Sequence, residues 1–412
     1  MTRISPVATA LSLLVAAAVV LVAALPQPLE AQLPISKEHK YTGTGSCAAS
    51  NCHGAKKPAA KPGDPDDTYT IWASKDKHNK AYNTLTKKES VAMAQKMKIA
   101  KATESDKCLG CHALYLSKEQ MAPRAKYDVA DGVSCDSCHG PAEQWLEGHD
   151  KGPKEGWPHS KSVSLGMYDT KDVLKRAELC VSCHLSIDAE MVAAGHPTMI
   201  FELDSFSQSQ PPHWKDQKEW FGPLAWGTGQ AVALRESADQ LATRAKRNAP
   251  DKLVQESWDQ TRGHAIALRA LLAQVAAEAG KAVESQVAAI AEAMGKDKAK
   301  AASSASALAK TAGDLSKRLA QTKFTKDIVW TVLKAQVGDP ERATSAGLRS
   351  AEQVAMAVDS LFRAISAVAK PPEAKAIDAA IGKMFDELPT KPADFDAKKF
   401  TANLQNVAKN VK

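Results

Sequence analysis

The middle of the chain repeats one pattern three times: Cys108-Leu-Gly-Cys111-His112, Cys135-Asp-Ser-Cys138-His139 and Cys180-Val-Ser-Cys183-His184. A looser copy, Cys47-Ala-Ala-Ser-Asn-Cys52-His53, has four residues between its cysteines. Cys-x-x-Cys-His is the attachment signature of c-type haem, in which two thiols bind the haem edge and the next histidine binds the iron. The sequence therefore predicts four covalently bound haem c groups, with all eight cysteines as attachment points and with four iron ligands, His53, His112, His139 and His184.

Two other roles of paired cysteines fit this pattern less well. A structural zinc site uses two cysteine pairs, or one pair with two spaced histidines, and does not need a histidine after every second cysteine. A thioredoxin-like motif occurs once, beside a βαβ pattern, and no such pattern surrounds these cysteines. Because every cysteine belongs to a haem motif, none remains for a disulfide.

Residues 1–31 have the features of a secretory leader. Arg3 precedes an apolar run from Val7 to Leu25, and prolines and a cleavage site expected near Ala31 follow it. The run is also just long enough to span a bilayer, so an uncleaved membrane anchor is the alternative. Either outcome predicts a periplasmic or otherwise exported protein, in agreement with haem attachment outside the cytoplasm.

The net charge of +7 raises the question of a nucleic-acid partner. An exported haem protein seldom meets nucleic acid, so we predict none. The lysines indicate a solvated surface, or electrostatic steering toward an acidic redox partner.

Composition changes near Gly227-Thr-Gly229, which we interpret as a hinge. All cysteines and six of the eight tryptophans precede it, while Ala, Lys, Gln and Glu dominate afterwards. We predict a mainly α protein: after the leader, a loop-rich multihaem cytochrome domain at 32–229, then an all-α bundle or hairpin domain at 230–412. The first domain has little ordinary core, so the apolar haems are expected to complete its packing.

Several helices are expected from spacing and breakers. They include 69–85 and 87–101, short helices on each Cys-His pair, and two faces marked by Leu268, Leu272 and Val275 and by Val287, Ile290 and Met294. Asp339-Pro340 predicts a helix start. The helix it opens is expected to carry an apolar seam, Val354, Val358, Leu361, Ile365 and Val368, and the last two helices to span 373–388 and 397–410.

Seven further histidines compete for the sixth iron positions: His39, His78, His149, His159, His196, His213 and His264. Methionine is the alternative ligand and raises the reduction potential. Because methionine more often fills packing gaps, we expect two histidines on most irons. His264 follows Gly263 and is expected to be a surface or capping residue.

Three segments of the sequence resemble the tetrahaem cytochrome c-554 family of multihaem c-type cytochromes. They are Trp72-Ala-Ser-Lys-Asp-Lys-His78-Asn-Lys-Ala, Cys108-Leu-Gly-Cys111-His112, and Gly132-Val-Ser-Cys135-Asp-Ser-Cys138-His139-Gly-Pro with His149 ten residues on. The resemblance covers residues 41–184. The helical segment after Gln230 lies outside it.

The resemblance implies iron-ligand pairs and electron transfer. It implies that His149 lies opposite His53 and His78 opposite His139, and it leaves the iron of His112 without a sixth protein ligand. His184 takes a downstream partner, His196 first and His213 second. Because only one of these two can bind that iron, the other is a spare ligand that puts the open iron of His112 in doubt.

Three functions follow as hypotheses. The leading one is an electron carrier between redox partner proteins, which is not an enzyme. The second is a haem enzyme acting on nitric oxide, nitrite or hydroxylamine at an open iron, with His159 and Lys161 as proton-moving candidates. The third gives the C-terminal helices a docking or assembly role, on a membrane complex, a partner or a second copy of the chain, through the seam at Val354 to Val368.

Overall fold

A computed structural model of the chain describes residues 36–61, 64–212 and 219–411. Within these residues the regular structure is helical, apart from one isolated bridge between Tyr41 and Met121, which confirms the predicted mainly α class. None of the described helices combines the length and apolar character of a membrane span. The predicted leader at 1–31 lies outside the described residues.

Short helices separated by turns form the haem-motif part of the chain. In its described residues they are α1 Thr68–Lys75, α2 Ala81–Thr84, α3 Lys88–Lys96, α4 Asp106–His112, α5 Cys135–His139, α6 His159–Ser164, α7 Val173–His184, α8 Ala189–Ala194 and α9 Leu203–Ser209. The helix expected over 69–85 breaks at Asp76, which is extended because its carboxylate accepts hydrogen bonds from the backbone and ring of His78. The helix expected over 87–101 ends at Lys96, before Lys98 takes a left-handed φ of 57°.

Three of the four haem motifs lie at helix C-termini. Helices α4, α5 and α7 each end on the motif histidine, as predicted. The first motif is different, and the prediction of a helix there is wrong. Its two additional residues form turns, in which the Cys52 amide donates to the Ala49 carbonyl and the His53 amide to the Cys47 carbonyl.

In residues 219–411 the helices are longer, apart from one of four residues, and they confirm the predicted helical bundle. They are α10 Phe221–Lys246, α11 Asp251–Val275, α12 Ala277–Ala293, α13 Lys298–Leu319, α14 Lys326–Val337, α15 Pro340–Ala343, α16 Leu348–Ala369, α17 Ala374–Asp386 and α18 Ala397–Asn410. They enclose a large apolar core to which Trp226, Leu268, Phe362 and Phe400 contribute. The clusters within the haem-motif part are small by comparison, as the sequence predicted.

Gly227 and Gly229 lie inside α10, so the hinge interpretation is wrong. A Cβ atom on Gly229 would lie 2.6 Å from Leu203 Cβ, and one on Gly227 would lie 2.8 Å from Leu271 Cδ2. The two glycines therefore allow close helix packing rather than bending. The division of the chain into domains at residues 229 and 230 stays a prediction.

The Asp339-Pro340 start is confirmed, because Asp339 Oδ1 caps the Arg342 amide. The helix that it opens ends at Ala343, however, and the seam lies on the separate helix α16, which begins after Gly347 at a φ of 61°. The seam residues are buried in the core of these helices, except Val368, which is 46% exposed. The seam is therefore internal packing, and docking through it is wrong.

Substitutions of two glycines within helices test the packing argument, because they should change the free energy of unfolding in opposite directions. Alanine gains up to about 1 kcal/mol over glycine in a helix interior. Gly382 in α17 has open space beside it, so Gly382→Ala should raise the free energy of unfolding by about 0.5–1 kcal/mol. Gly229→Ala should lower it by about 1–3 kcal/mol, because the methyl group collides with Leu203. Denaturant unfolding of the holoprotein, followed by circular dichroism, measures both, and equal signs would contradict the argument.

Candidate haem-attachment sites

The cysteine side chains of different motifs lie against one another. The thiols of Cys47 and Cys135 are hydrogen-bonded, and so are those of Cys111 and Cys183. Cys138 lies close enough to Cys180 to interact electrostatically, and burial raises the pKa of both thiols to about 12. All eight cysteines lie in the described residues, and none of them forms a disulfide bond. These contacts bring the first motif beside the third, the third beside the fourth, and the fourth beside the second.

Three pairs of histidine rings lie beside each other across the motifs, at interplanar angles of 27° for His53 and His149, 89° for His78 and His184, and 78° for His112 and His196. The ring centroids are 5.9 Å apart for His53 and His149, 6.0 Å for His78 and His184, and 6.5 Å for His112 and His196. An iron between two opposed imidazoles separates the ring centres by about 6 Å, since each metal–nitrogen bond is about 2 Å and each centre lies about 1 Å beyond its nitrogen. The spacing therefore fits two-histidine ligation of one iron by each pair.

Hydrogen bonds at Nδ1 fix five of these rings. His53 donates to Asp66 at 2.9 Å and His78 to Asp76 at 3.0 Å. The partners of the other three are uncharged: Ala81 O and Thr84 Oγ1 for His112, Leu146 O for His149, and Pro197 O for His196. Because Nδ1 carries the proton in each bond, Nε2 keeps a lone pair for a metal.

The geometry agrees in part with the pairing that the resemblance implied. His53 and His149 are together as expected. The ring beside His78 is that of His184 rather than His139, because the Asp76 turn directs His78 toward α7. His139 ends α5, and its carbonyl accepts the Tyr168 amide.

His196 faces His112 rather than the expected partner, His184. The reason is local, since Lys96 on α3 donates to the Ala194 carbonyl at 3.0 Å and brings the end of α8 to the second motif. The pairing gives His112 the sixth-ligand candidate that the resemblance left out. His213, the other candidate, lies outside the described residues.

Two histidines have other environments. His264 is neither a surface nor a capping residue as predicted: it is buried within α11, and its Nδ1 donates to Gln230 Oε1 at 2.8 Å. Burial lowers its pKa to about 3. His159 contacts Asp169 through Nε2 at 2.9 Å. In the paired histidines Nε2 is the nitrogen left for a metal, whereas in His159 it is already bonded. Lys161, the second proton-moving candidate, lies over the Trp157 ring.

Several residues around the fourth motif were missed by sequence reasoning. Phe206 of α9 packs edge-on against His184 with centroids 5.0 Å apart, and Gln210 donates to Asp76 Oδ2 at 3.0 Å. Only Asp76 had a local signal, since an aspartate two residues before a histidine can form an Asx turn. Phe206 and Gln210 reach the site through tertiary packing, which no spacing rule predicts.

Burial and hydrogen bonding set the charge states at this site. Burial lowers the pKa of His184 to about 4, and nearby His78 adds to the effect, so the ring is neutral as iron binding requires. Burial opposes ionisation of Asp76, but hydrogen bonds from His78 and Gln210 outweigh it and lower the pKa to about 2. Asp76 is therefore a carboxylate that accepts the His78 proton.

Repeated Cys-x-x-Cys-His motifs combined with facing histidine pairs define a multihaem c-type cytochrome, a class that carries covalently bound haem c and transfers electrons. Residues 46–140 match the family model described as cytochrome c554 and c-prime, which supports the resemblance to c554-type multihaem cytochromes. The chain is also similar to the cytochrome c-type protein NrfH of Wolinella succinogenes, with 28% identity over 144 residues, which is 33% of this chain and 75% of that protein. No solved structure matches the chain.

Glu202 gives the site a pH-dependent stability. Burial, with Asp204 nearby, raises its pKa to about 7, well above the value near 4.3 of an unfolded glutamate. Between about pH 4.5 and 7 the folded chain keeps a proton that the unfolded chain has lost, so stability falls as pH rises through this window.

Glu202→Gln removes this dependence. The free energy of unfolding of the variant minus that of the wild type should be larger, meaning a relatively more stable variant, at about pH 8 than at about pH 4. Denaturant unfolding at the two pH values measures the difference, and Asp314→Asn, an exposed substitution on α13, serves as control. A difference between variant and wild type that does not change with pH would contradict the assignment.

Proposed function

We propose that the protein is an exported tetrahaem c-type cytochrome that carries electrons, one at a time, between redox partner proteins. The observation that carries the proposal is the set of three histidine pairs with ring centres 5.9 to 6.5 Å apart, each containing one histidine of a Cys-His motif. Bound haem would supply one-electron redox chemistry. The chain's own residues attach it, orient its ligands and exclude water.

We propose as iron ligands the eight histidines named from sequence: His53, His112, His139 and His184 within the motifs, and His78, His149, His196 and His213 opposite them. Six of these histidines have support in ring spacing, as the three pairs His53 with His149, His78 with His184, and His112 with His196. We propose His213, which lies outside the described residues, as the partner of His139. Two neutral nitrogen ligands on every iron favour comparatively low reduction potentials.

The contacts between motifs support one order of the attachment sites. Cys47 with Cys135, Cys138 with Cys180, and Cys183 with Cys111 link the sites in the order first, third, fourth, second. Neighbouring attachment cysteines bring neighbouring cofactor edges close together, which suits a relay between two ends. The first and second motifs would then be the places where partners dock.

A relay accounts for the geometry better than a small-molecule enzyme does. An enzyme of the kind considered from sequence needs an open position on one iron, and His112 was the candidate. His196 faces His112 with its Nδ1 already bonded, so its Nε2 is available to close that position. Export, with the predicted leader cleaved or kept as an anchor, belongs to the same proposal and follows from the site of c-type haem attachment.

Haem stoichiometry and spin state test the proposal directly. We expect four haems per chain in protein made with a cytochrome-maturation system, measured by pyridine haemochrome and intact mass, and a low-spin electron paramagnetic resonance signal from all of them. The expectation follows because each motif supplies two thiols and each iron has two histidine candidates. Free cysteines, or high-spin iron in the wild type, would refute it.

The pairing of His196 with His112 is tested by substitution. His196→Ala should convert about one quarter of the iron to a high-spin form, because one of four irons loses a ligand. His159→Ala is the matched control, since His159 lies in the same part of the chain but contacts Asp169. A fully low-spin His196→Ala protein would overturn this pairing while leaving the other sites unaffected.

A further inference from the structure

The Nδ1 partners divide the proposed ligand pairs into two kinds. Asp66 and Asp76 place a carboxylate behind the pairs of His53 and His78. The pair of His112 and His196 has only uncharged acceptors on both sides, namely the Thr84 hydroxyl and two backbone carbonyl groups. The first and fourth sites therefore differ in charge from the second.

Both carboxylates are held as hydrogen-bond acceptors by other donors. Asp66 Oδ1 also accepts the amide and hydroxyl of Thr68, at 3.1 and 2.8 Å. Asp76 accepts the His78 amide on one oxygen and Gln210 Nε2 on the other, at 2.9 and 3.0 Å. An acceptor fixed in this way draws the Nδ1 proton toward itself and makes the imidazole a stronger donor to a metal.

A cation reinforces the contrast at the second site. Lys96 Nζ donates to the carbonyl of Ala194, two residues before His196. A positive charge there favours added negative charge at the second site, whereas the two carboxylates disfavour it at their own sites. Lys107, which precedes the second motif, is paired with Glu190 and contributes little net charge.

From this arrangement we propose that Asp66 and Asp76 are positioning residues that lower the reduction potentials of the first and fourth haem sites. Each reduction adds one electron to one site and removes one from the donor protein. Among these three sites, the second is then the most readily reduced, and it lies at one end of the order first, third, fourth, second. The inference rests on the proposed two-histidine sites and adds an order of their reduction potentials.

The effect should be larger at Asp76 than at Asp66. The Asp76 side chain is 3% exposed and that of Asp66 is 25% exposed, so water screens the charge of Asp66 more strongly. The two substitutions should act independently, since each carboxylate contacts a different histidine pair.

Asp76→Asn and Asp66→Asn test the proposal, because asparagine keeps the shape and one acceptor oxygen but removes the charge. In an equilibrium redox titration of the holoprotein, we expect the ratio of reduced to oxidised haem at one site to rise about tenfold in Asp76→Asn, which corresponds to about 59 mV for one electron. Asp66→Asn should raise the ratio at a different site by a smaller factor. Haem content and the low-spin signal should stay as in the wild type.

Asp169→Asn is the matched control, because Asp169 also bonds a histidine, but through Nε2 of His159. It should leave all four potentials unchanged. Unshifted potentials in low-spin Asp66→Asn and Asp76→Asn proteins, or an equal shift in Asp169→Asn, would overturn the inference alone. High-spin iron in the wild-type protein would instead overturn the proposed function. If Asp76→Asn fails to bind its haem, Asp66→Asn decides the question, because the Asp66 side chain is more exposed than that of Asp76.

Discussion

A hydrogen bond at Nδ1 is the interaction on which the haem-motif part of this chain depends. Imidazole can bind a metal through either nitrogen, and a ring free to rotate offers both. In five of the paired histidines the bond to Nδ1 fixes the proton and the ring orientation together, so Nε2 alone is available. Short helices and turns are sufficient to build such sites, because each needs one carbonyl or carboxylate at the correct distance rather than an extended core.

The long helices supply the rigidity that the haem-motif part lacks. The side chain of Gln260 donates to the Met199 carbonyl at 2.9 Å, and Arg349 donates to Thr198 Oγ1 at 2.8 Å. Both contacts hold the segment directly after His196. Arg244 similarly donates to the Ile187 carbonyl, just after the fourth motif. The C-terminal helices thus position two ligand segments, and this gives them a role that does not require a docking surface.

The buried network around α9 shows how this coupling reaches the fourth site. Asp204 accepts hydrogen bonds from Ser360 and Arg363 of α16, at 2.6 and 2.9 Å, while Glu202 caps the first turn of α9. The same helix presents Phe206 to His184. Buried charges that are paired and hydrogen-bonded tolerate little displacement, because a separated partner would leave an uncompensated charge. We infer that the first turn of α9 is fixed by this network.

Sequence reasoning succeeded where a property is local and failed where it depends on distant packing. The helix at Ala397–Asn410 and the cap at Asp339 follow from residues within one or two turns, and both are confirmed. Gly229 and His264 were wrongly interpreted because their environments come from helices far away in the sequence. A glycine pair that allows close packing has the same local pattern as a hinge.

The histidine pairs show the same limit of sequence reasoning. They also show how a bound cofactor would contribute to stability. The partners in each pair are roughly 100 residues apart, so no local signal joins them, and the resemblance implied one of the three ring pairs, His53 with His149. A crosslink that closes a loop of about 100 residues removes unfolded-state entropy equivalent to about 4.7 kcal/mol in the chain-entropy model. An iron joining each pair would act as such a crosslink. The sites that carry the redox chemistry would therefore also hold together a segment whose side-chain core is small.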